Sequence, residues 1–139
     1  MFARCSLLAL LLTGCHHSDE VVRLSTVMSA FDSQGWKSSE HLRPIDPARF
    51  SAQKCVGGLI DGVDAVVCEL GSAEAAQLAK KGGEAWVATA VTGVALVNGS
   101  TMLALADRSR TDPLGKSIHA VTKTYMALGP KAPATTPRR

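Results

Sequence analysis

Aromatic residues are scarce in this 139-residue chain. They make up 4% of it, and beyond residue 15 the only large rings are Phe31, Trp36, Phe50, Trp86 and Tyr125. Five rings are about what one small core consumes, so none is left for a row of stacking platforms. That argues against a reader of single-stranded nucleic acid or of sugars. Charge of one sign is also missing. The formal charge is +3, but Arg4, Lys131, Arg138 and Arg139 lie in terminal segments, and the rest of the chain sets eleven positive residues against twelve acidic ones. A nucleic-acid partner needs a basic surface that displaces counterions from phosphates, and none is expected here. The apolar run from Leu7 to Leu12 is too short for a hydrocarbon core that needs about 20 residues. There is no Gly-x-Ser-x-Gly elbow, no His-Glu-x-x-His zinc helix and no phosphate loop. The reading is therefore of a non-enzymatic protein, with no cofactor and no metal expected.

The apolar fraction of 46% and the length suit one globular domain and are too small for two. The most informative segment is the first. Arg4 precedes the apolar stretch Leu7–Leu12, which leads into the small residues Thr13 and Gly14 and then Cys15. One positive charge, a short apolar core and small residues are the layout of an export signal. Its last four residues, Leu12-Thr13-Gly14-Cys15, resemble the lipobox of bacterial lipoproteins. The resemblance covers residues 1–15 only. It implies that residues 1–14 are a signal peptide and that Cys15 carries a diacylglyceryl group and becomes the acylated N-terminus of a short lipidated segment, residues 15–17. Each buried methylene contributes roughly 0.8 kcal/mol, so two or three acyl chains hold a protein in a bilayer almost irreversibly. The lipid bilayer is thus the first expected partner and the bacterial cell envelope the expected location. Residue 16 is His and not Asp, which by analogy with enterobacterial sorting points to the outer membrane.

Cysteine usage fits export. Cys5 leaves with the leader and Cys15 is consumed by lipid, so Cys55 and Cys68 remain, and in an oxidising compartment a surviving pair becomes a disulfide. Between them two apolar stretches flank Asp61-Gly62, a strong two-residue hairpin signal. If those residues are the turn, Ile60 faces Val63, and counting outward brings Cys55 opposite Cys68 in a non-hydrogen-bonded pair, where side chains approach most closely. That geometry accepts a disulfide.

A helix is expected from Ser18, with Val21, Leu24, Met28 and Phe31 as its apolar stripe and Gly35 as its stop. Residues 37–50 read as irregular, with one helical turn at Asp46-Pro47-Ala48-Arg49. A second helix is capped by Ser72; Leu78 and Trp86 are among its packing residues, and Gly82-Gly83 is a place for it to bend. A second hairpin is expected around Asn98-Gly99, and a last helix starting at Asp112-Pro113 carries Leu114, Ile118, Val121, Tyr125 and Leu128. The fold expected is α+β: an antiparallel four-stranded sheet built from two hairpins as ββα-ββα, with helices on one face, preceded by an N-terminal helix. It occupies residues 18–128 as a single domain, and the Pro-rich tail 129–139 is expected to be disordered.

In the second hairpin, Gly93, Ala95, Val97, Ser100, Met102, Ala104 and Ala106 fall on one face, flat and small. With helices on the other face only, this small-residue surface is the expected contact for an envelope protein partner. The function expected is a membrane-anchored lipoprotein acting as a structural or protein-interaction module; the alternative is a small-ligand-binding or accessory subunit of an envelope complex. The run from Asp107 to Asp112 is a weaker candidate, an anion-binding spot near a helix N-terminus. His41 and His119 have no partner that the sequence places.

Overall fold

The computed structural model describes residues 22–129. Its elements are α1 (Leu24–Ser33), α2 (Ser38–His41), β1 (Leu42–Ile45), a 3-10 turn (Pro47–Phe50), β2 (Lys54–Ile60), β3 (Val63–Glu69), α3 (Ala73–Val87), β4 (Gly93–Asn98), β5 (Thr101–Ala106) and α4 (Lys116–Met126). The five strands form one antiparallel sheet in the order β1-β2-β3-β5-β4. The leader 1–14, Cys15, His16, His17, the expected helix start at Ser18 and the tail from Pro130 onward lie outside the described residues. Among the described residues no helix is long and apolar enough to cross a membrane.

The first hairpin forms as its turn chemistry requires. Asp61 and Gly62 both have positive φ, as a type I′ turn demands, Ile60 pairs with Val63, and Cys55 pairs with Cys68. The two cysteines form a disulfide with a Cα–Cα distance of 4.1 Å, buried among Phe50, Val66 and Leu70.

The second hairpin turns one residue later than expected. Asn98 pairs with Thr101, leaving Gly99-Ser100 as the turn, with positive φ at Gly99 only. That is the pattern of a type II′ turn, which wants glycine at the first central position. Moving the turn by one residue shifts every pairing by two, so the faces survive. Val94, Leu96, Leu103 and Leu105 share one face, and Gly93, Ala95, Met102 and Ala104 the other.

Three expectations are corrected. The sheet has five strands, because β1 pairs with β2 across Leu42↔Gly58 to Ile45↔Cys55. Its Pro44 read as irregular chain, yet proline is tolerated on an edge strand whose outward side needs no donor. The helices cover both faces. α1 and α4 bury Val27, Phe31, Val121 and Tyr125 against Ile60, Val63, Leu103 and Leu105, while α3 lays Ala76 and Ala79 on the opposite side against Ala95, Met102 and Ala104. The small-residue face is therefore interior: Ala104 is 0% and Ala95 7% exposed. Its flatness is what lets a helix with small inward residues seat closely. The two hairpin-plus-helix units are consequently not equivalent, since α3 and α4 lie on opposite faces.

Gly83 shows how close that seating is. A Cβ there would stand 2.9 Å from Met102 Sδ and 3.2 Å from Ala95 Cβ, and α3 runs through Gly82-Gly83 as one continuous helix instead of bending. Ser72 caps it, its Oγ accepting from Ala75 N at 3.0 Å. Leu78, expected to pack, is 66% exposed.

The N-terminal helix begins at Leu24. Val22 is buried, its carbonyl accepts from Ser100 Oγ, and the first free N–H of the helix, Leu24 N, donates to Glu69 Oε2 at 2.7 Å. A carboxylate from β3 thus satisfies a helix end that has no side-chain cap of its own. At the other end Gly35, with φ +82°, stops the helix as expected. Beyond it, Ser38 Oγ lies 2.7 Å from Asp32 Oδ1, and this hydrogen bond holds the Asp32 carboxyl below its ordinary range. The last helix starts at Lys116, later than expected, and Leu114 is exposed. Asp112 caps it from a distance, its Oδ2 accepting from Ile118 N at 3.0 Å.

Candidate functional site

α3 leaves part of its sheet face uncovered. It lies over β4 and β5, and the 3-10 turn covers the disulfide end of β2 and β3 with Phe50. Between them runs a groove of about 370 Å³, floored by Gly57, Gly58 and Val66. One wall is Ile45, Asp46 and Arg49; the other is Trp86, near the C-terminal end of α3, with Asp64 below it. The 3-10 turn exists because Pro47 presets its backbone and Asp46 caps it, Oδ1 accepting from Ala48 N at 3.0 Å.

The Trp86 wall is held from behind. The Arg108 guanidinium stacks on its ring at 4.0 Å from the centroid and also donates to the Trp86 carbonyl. Stacking of this kind contributes about 0.5–2 kcal/mol. The same guanidinium reaches Asp64 Oδ2 at 3.8 Å. Both side chains of that pair are about one-third exposed, so solvent screening reduces it to roughly 0–1 kcal/mol. On the facing wall the Arg49 guanidinium stands 5.9 Å over Phe50. The groove therefore offers an apolar floor, one aromatic face, a carboxylate on each side and the Arg49 guanidinium beside Asp46, with Arg108 behind Trp86 holding that wall. This arrangement can take a polar segment that offers donors to Asp46 and Asp64 and an acceptor to Arg49.

A larger cleft of about 600 Å³ lies between α1 and α4, but Lys123 is its only charged lining residue. A third depression, of about 330 Å³, brings His41 near Asp61, Trp36 and Leu59. His119 is exposed on α4 and lines none of these three depressions. Among the described residues no group of three His, Cys, Asp or Glu side chains is placed to hold a metal ion.

The Asp107–Asp112 run is organised as a self-satisfied loop, which overturns its reading as an anion spot. Asp107 is buried and accepts from Thr111 N and Asp112 N, both at 3.0 Å. Burial works to raise the Asp112 carboxyl, but the N–H groups of Ile118, Ser117 and Lys116 outweigh it and hold it below the ordinary carboxylate range. A resident carboxylate already occupies the helix N-terminus.

Cys55 and Cys68 meet as expected, whereas Cys15 lies outside the described residues. The groove was not legible beforehand. Trp86 reads as a packing residue and continues the three-and-four spacing of the buried Ala76-Ala79-Gly83 line, yet it is half-buried at the edge of that contact, and nothing in the spacing marks it as a groove wall. Arg108 and Asp64 are 44 positions apart and are joined only through the β3–β5 pairing of Asp64 with Ala106. No family model, no curated protein and no solved structure matches the chain.

Proposed function

We propose that this chain is a lipid-anchored bacterial lipoprotein, probed from the envelope by its partners through the groove beside Trp86, and that it acts as a non-enzymatic interaction module. The observation that carries the reading is the pairing of two independent signals. The Leu12-Thr13-Gly14-Cys15 segment implies export and acylation, and the remaining cysteines, Cys55 and Cys68, are joined in a disulfide that persists in an exported protein.

The arrangement of the two ends supports it. Val22 sits against Gly99, and Gly129 sits beside Asn98, so the chain enters and leaves the described domain at the β4–β5 turn. Seven residue steps from Cys15 to Val22 reach at most about 25 Å. An acylated Cys15 therefore holds that turn near the bilayer. The Asp64–Arg108 wall lies at the opposite end of the ladder, about 17 Å farther along β5. By the enterobacterial analogy for His16 the membrane is the outer one.

A second reading, a small-ligand-binding subunit, is favoured by the groove's volume, which lies within the range of ligand sites.

The test of the anchor is mass spectrometry of the first peptide of the protein purified from bacterial envelopes, together with detergent-phase partitioning. A diacylglyceryl-modified Cys15 at the N-terminus is expected, and Cys15→Ser abolishes both signals. A product that keeps Met1 and stays in the aqueous phase overturns the reading. For the groove, a photo-crosslinking residue placed at Arg49 is expected to capture a discrete envelope protein that the same probe at His119 does not. Identical capture at both positions would count against the groove.

A further inference from the structure

The two edges of the sheet are built differently. β1 is four residues long and carries Arg43 and Pro44, the charge and the proline by which natural sheets discourage edge-to-edge pairing. β4 is six residues long, Gly93-Val94-Ala95-Leu96-Val97-Asn98, with no charge and no proline. Its register determines which main-chain groups are free. Asn98 and Thr101 flank a two-residue turn and form a hydrogen-bonded pair; Leu96 and Val94 alternate with it, and Thr92 continues the series by accepting from Asp107 N at 2.8 Å. The N–H and C=O groups of Gly93, Ala95 and Val97 therefore point outward. Among the described residues β5 is the only strand paired with β4.

We propose that two copies of this chain pair through β4, antiparallel about a two-fold axis at Ala95, forming one continuous ten-stranded sheet. The occupant is a second copy because the strand is self-complementary. The outward residues are spaced evenly about Ala95, so Ala95 faces Ala95 of the other copy and Gly93 faces Val97, and all their outward groups pair. A two-fold axis sets like against like, which an edge charge would penalise, and this edge has none. On the α1/α4 side Val94 of each copy meets Leu96 of the other in a non-hydrogen-bonded pair, and these half-buried side chains are covered. On the α3 side Val97 meets Gly93, which has no side chain to obstruct it. Each α3 lies across its own β4 and β5, so with strands about 4.8 Å apart the two helices run roughly 10 Å from one another, a normal packing distance. The pairing uses neither the acyl group nor the groove; being antiparallel, it sets the two β4–β5 turns at opposite ends of the joined edge, about 20 Å apart, and a tether of up to about 25 Å on each lets both reach one bilayer.

The test uses the full chain carrying Val94→Cys and Leu96→Cys together under mild oxidation, compared with the unsubstituted chain treated in the same way. The double variant is expected to give a disulfide-linked dimer beyond that background, and each single variant is expected to give no more than the background, because residue 94 meets residue 96 and not itself. Dimer above the background from a single variant, or none above it from the double, overturns the proposal. Val97→Pro removes an outward N–H that the monomer does not use. It should leave the circular dichroism spectrum unchanged and weaken self-association, measured by sedimentation, about thirtyfold through two lost hydrogen bonds. Unchanged self-association of a folded Val97→Pro protein, or a wild-type chain that is monomeric at all concentrations up to about millimolar, also refutes it.

Discussion

Tyr125 is the one tyrosine of the chain, and its ring is fully buried between α4 and the sheet. Its hydroxyl lies 3.0 Å from Thr101 O and 2.8 Å from Thr101 Oγ1, while its carbonyl accepts from Asn98 Nδ2 at 2.8 Å. Burial disfavours the phenolate and pushes the group up to about 12, against the downward pull of the Thr101 hydrogen bond. An unfolded chain titrates near 10. The folded state thus keeps its proton where the unfolded state has lost it, so the contribution to stability is whole below pH 10 and disappears as pH rises from 10 through 12. Two units correspond to about 2.7 kcal/mol over the full window, of which about 1.4 kcal/mol is lost by pH 11. Urea unfolding of wild type and Tyr125→Phe at pH 9 and pH 11 isolates this term, because other alkaline groups are common to both proteins. The wild type should lose about 1.4 kcal/mol more than the variant between those pH values. Phenolate absorbance gives an independent reading without interference from another tyrosine. A folded-state midpoint near 10, or parallel losses in the two proteins, would refute the burial argument.

Two further outcomes are expected. Gly58→Ala would place a Cβ 2.2 Å from the backbone oxygen of His41, at a φ of +157°, so β1 and α2 must move off β2. The loss should be about 3 kcal/mol, a fall in melting temperature of roughly 10–20 °C, whereas Gly57→Ala, whose Cβ meets Ile45 Cδ1 and Cγ2 at 3.2 and 3.3 Å and the Ala65 oxygen at an ordinary 3.5 Å, should cost less, about 1 kcal/mol. The paired substitution Cys55→Ala with Cys68→Ala should lower stability by about 2–3 kcal/mol in urea titrations, since the chain-entropy value for so short a loop is near 3 and the hairpin is already local. A double variant with the wild-type midpoint would show that the bridge contributes nothing.

Much of the local structure was legible because it is decided by neighbouring residues. Asp61-Gly62 dictates a two-residue turn, and a turn of known length dictates that Cys55 meets Cys68. Ser72 caps α3, Asp46-Pro47 starts the 3-10 turn and Gly35 ends α1, each through one side chain acting on its own backbone. The errors share a different cause. Val22 looked helical until Ser100 and Glu69 held the entry to α1 from elsewhere in the chain. Residues 42–45 looked irregular until β2 presented a partner, because a strand of four residues with a proline has too little pattern of its own.

The distinction is clearest at the face containing Ala95 and Ala104. Alternation along β4 and β5 shows that one side of the hairpin is bulky and the other small, and that much follows from the sequence alone, as do the first turn and the position of the disulfide. Whether the small side meets solvent, a partner or a helix of the same molecule is decided only in three dimensions, where Ala76, Ala79 and Gly83 bring α3 down on it and leave the Trp86 groove alongside. A small flat surface has the same residue pattern in all three cases, because close packing depends on which complementary shape arrives, and that shape is encoded tens of residues away.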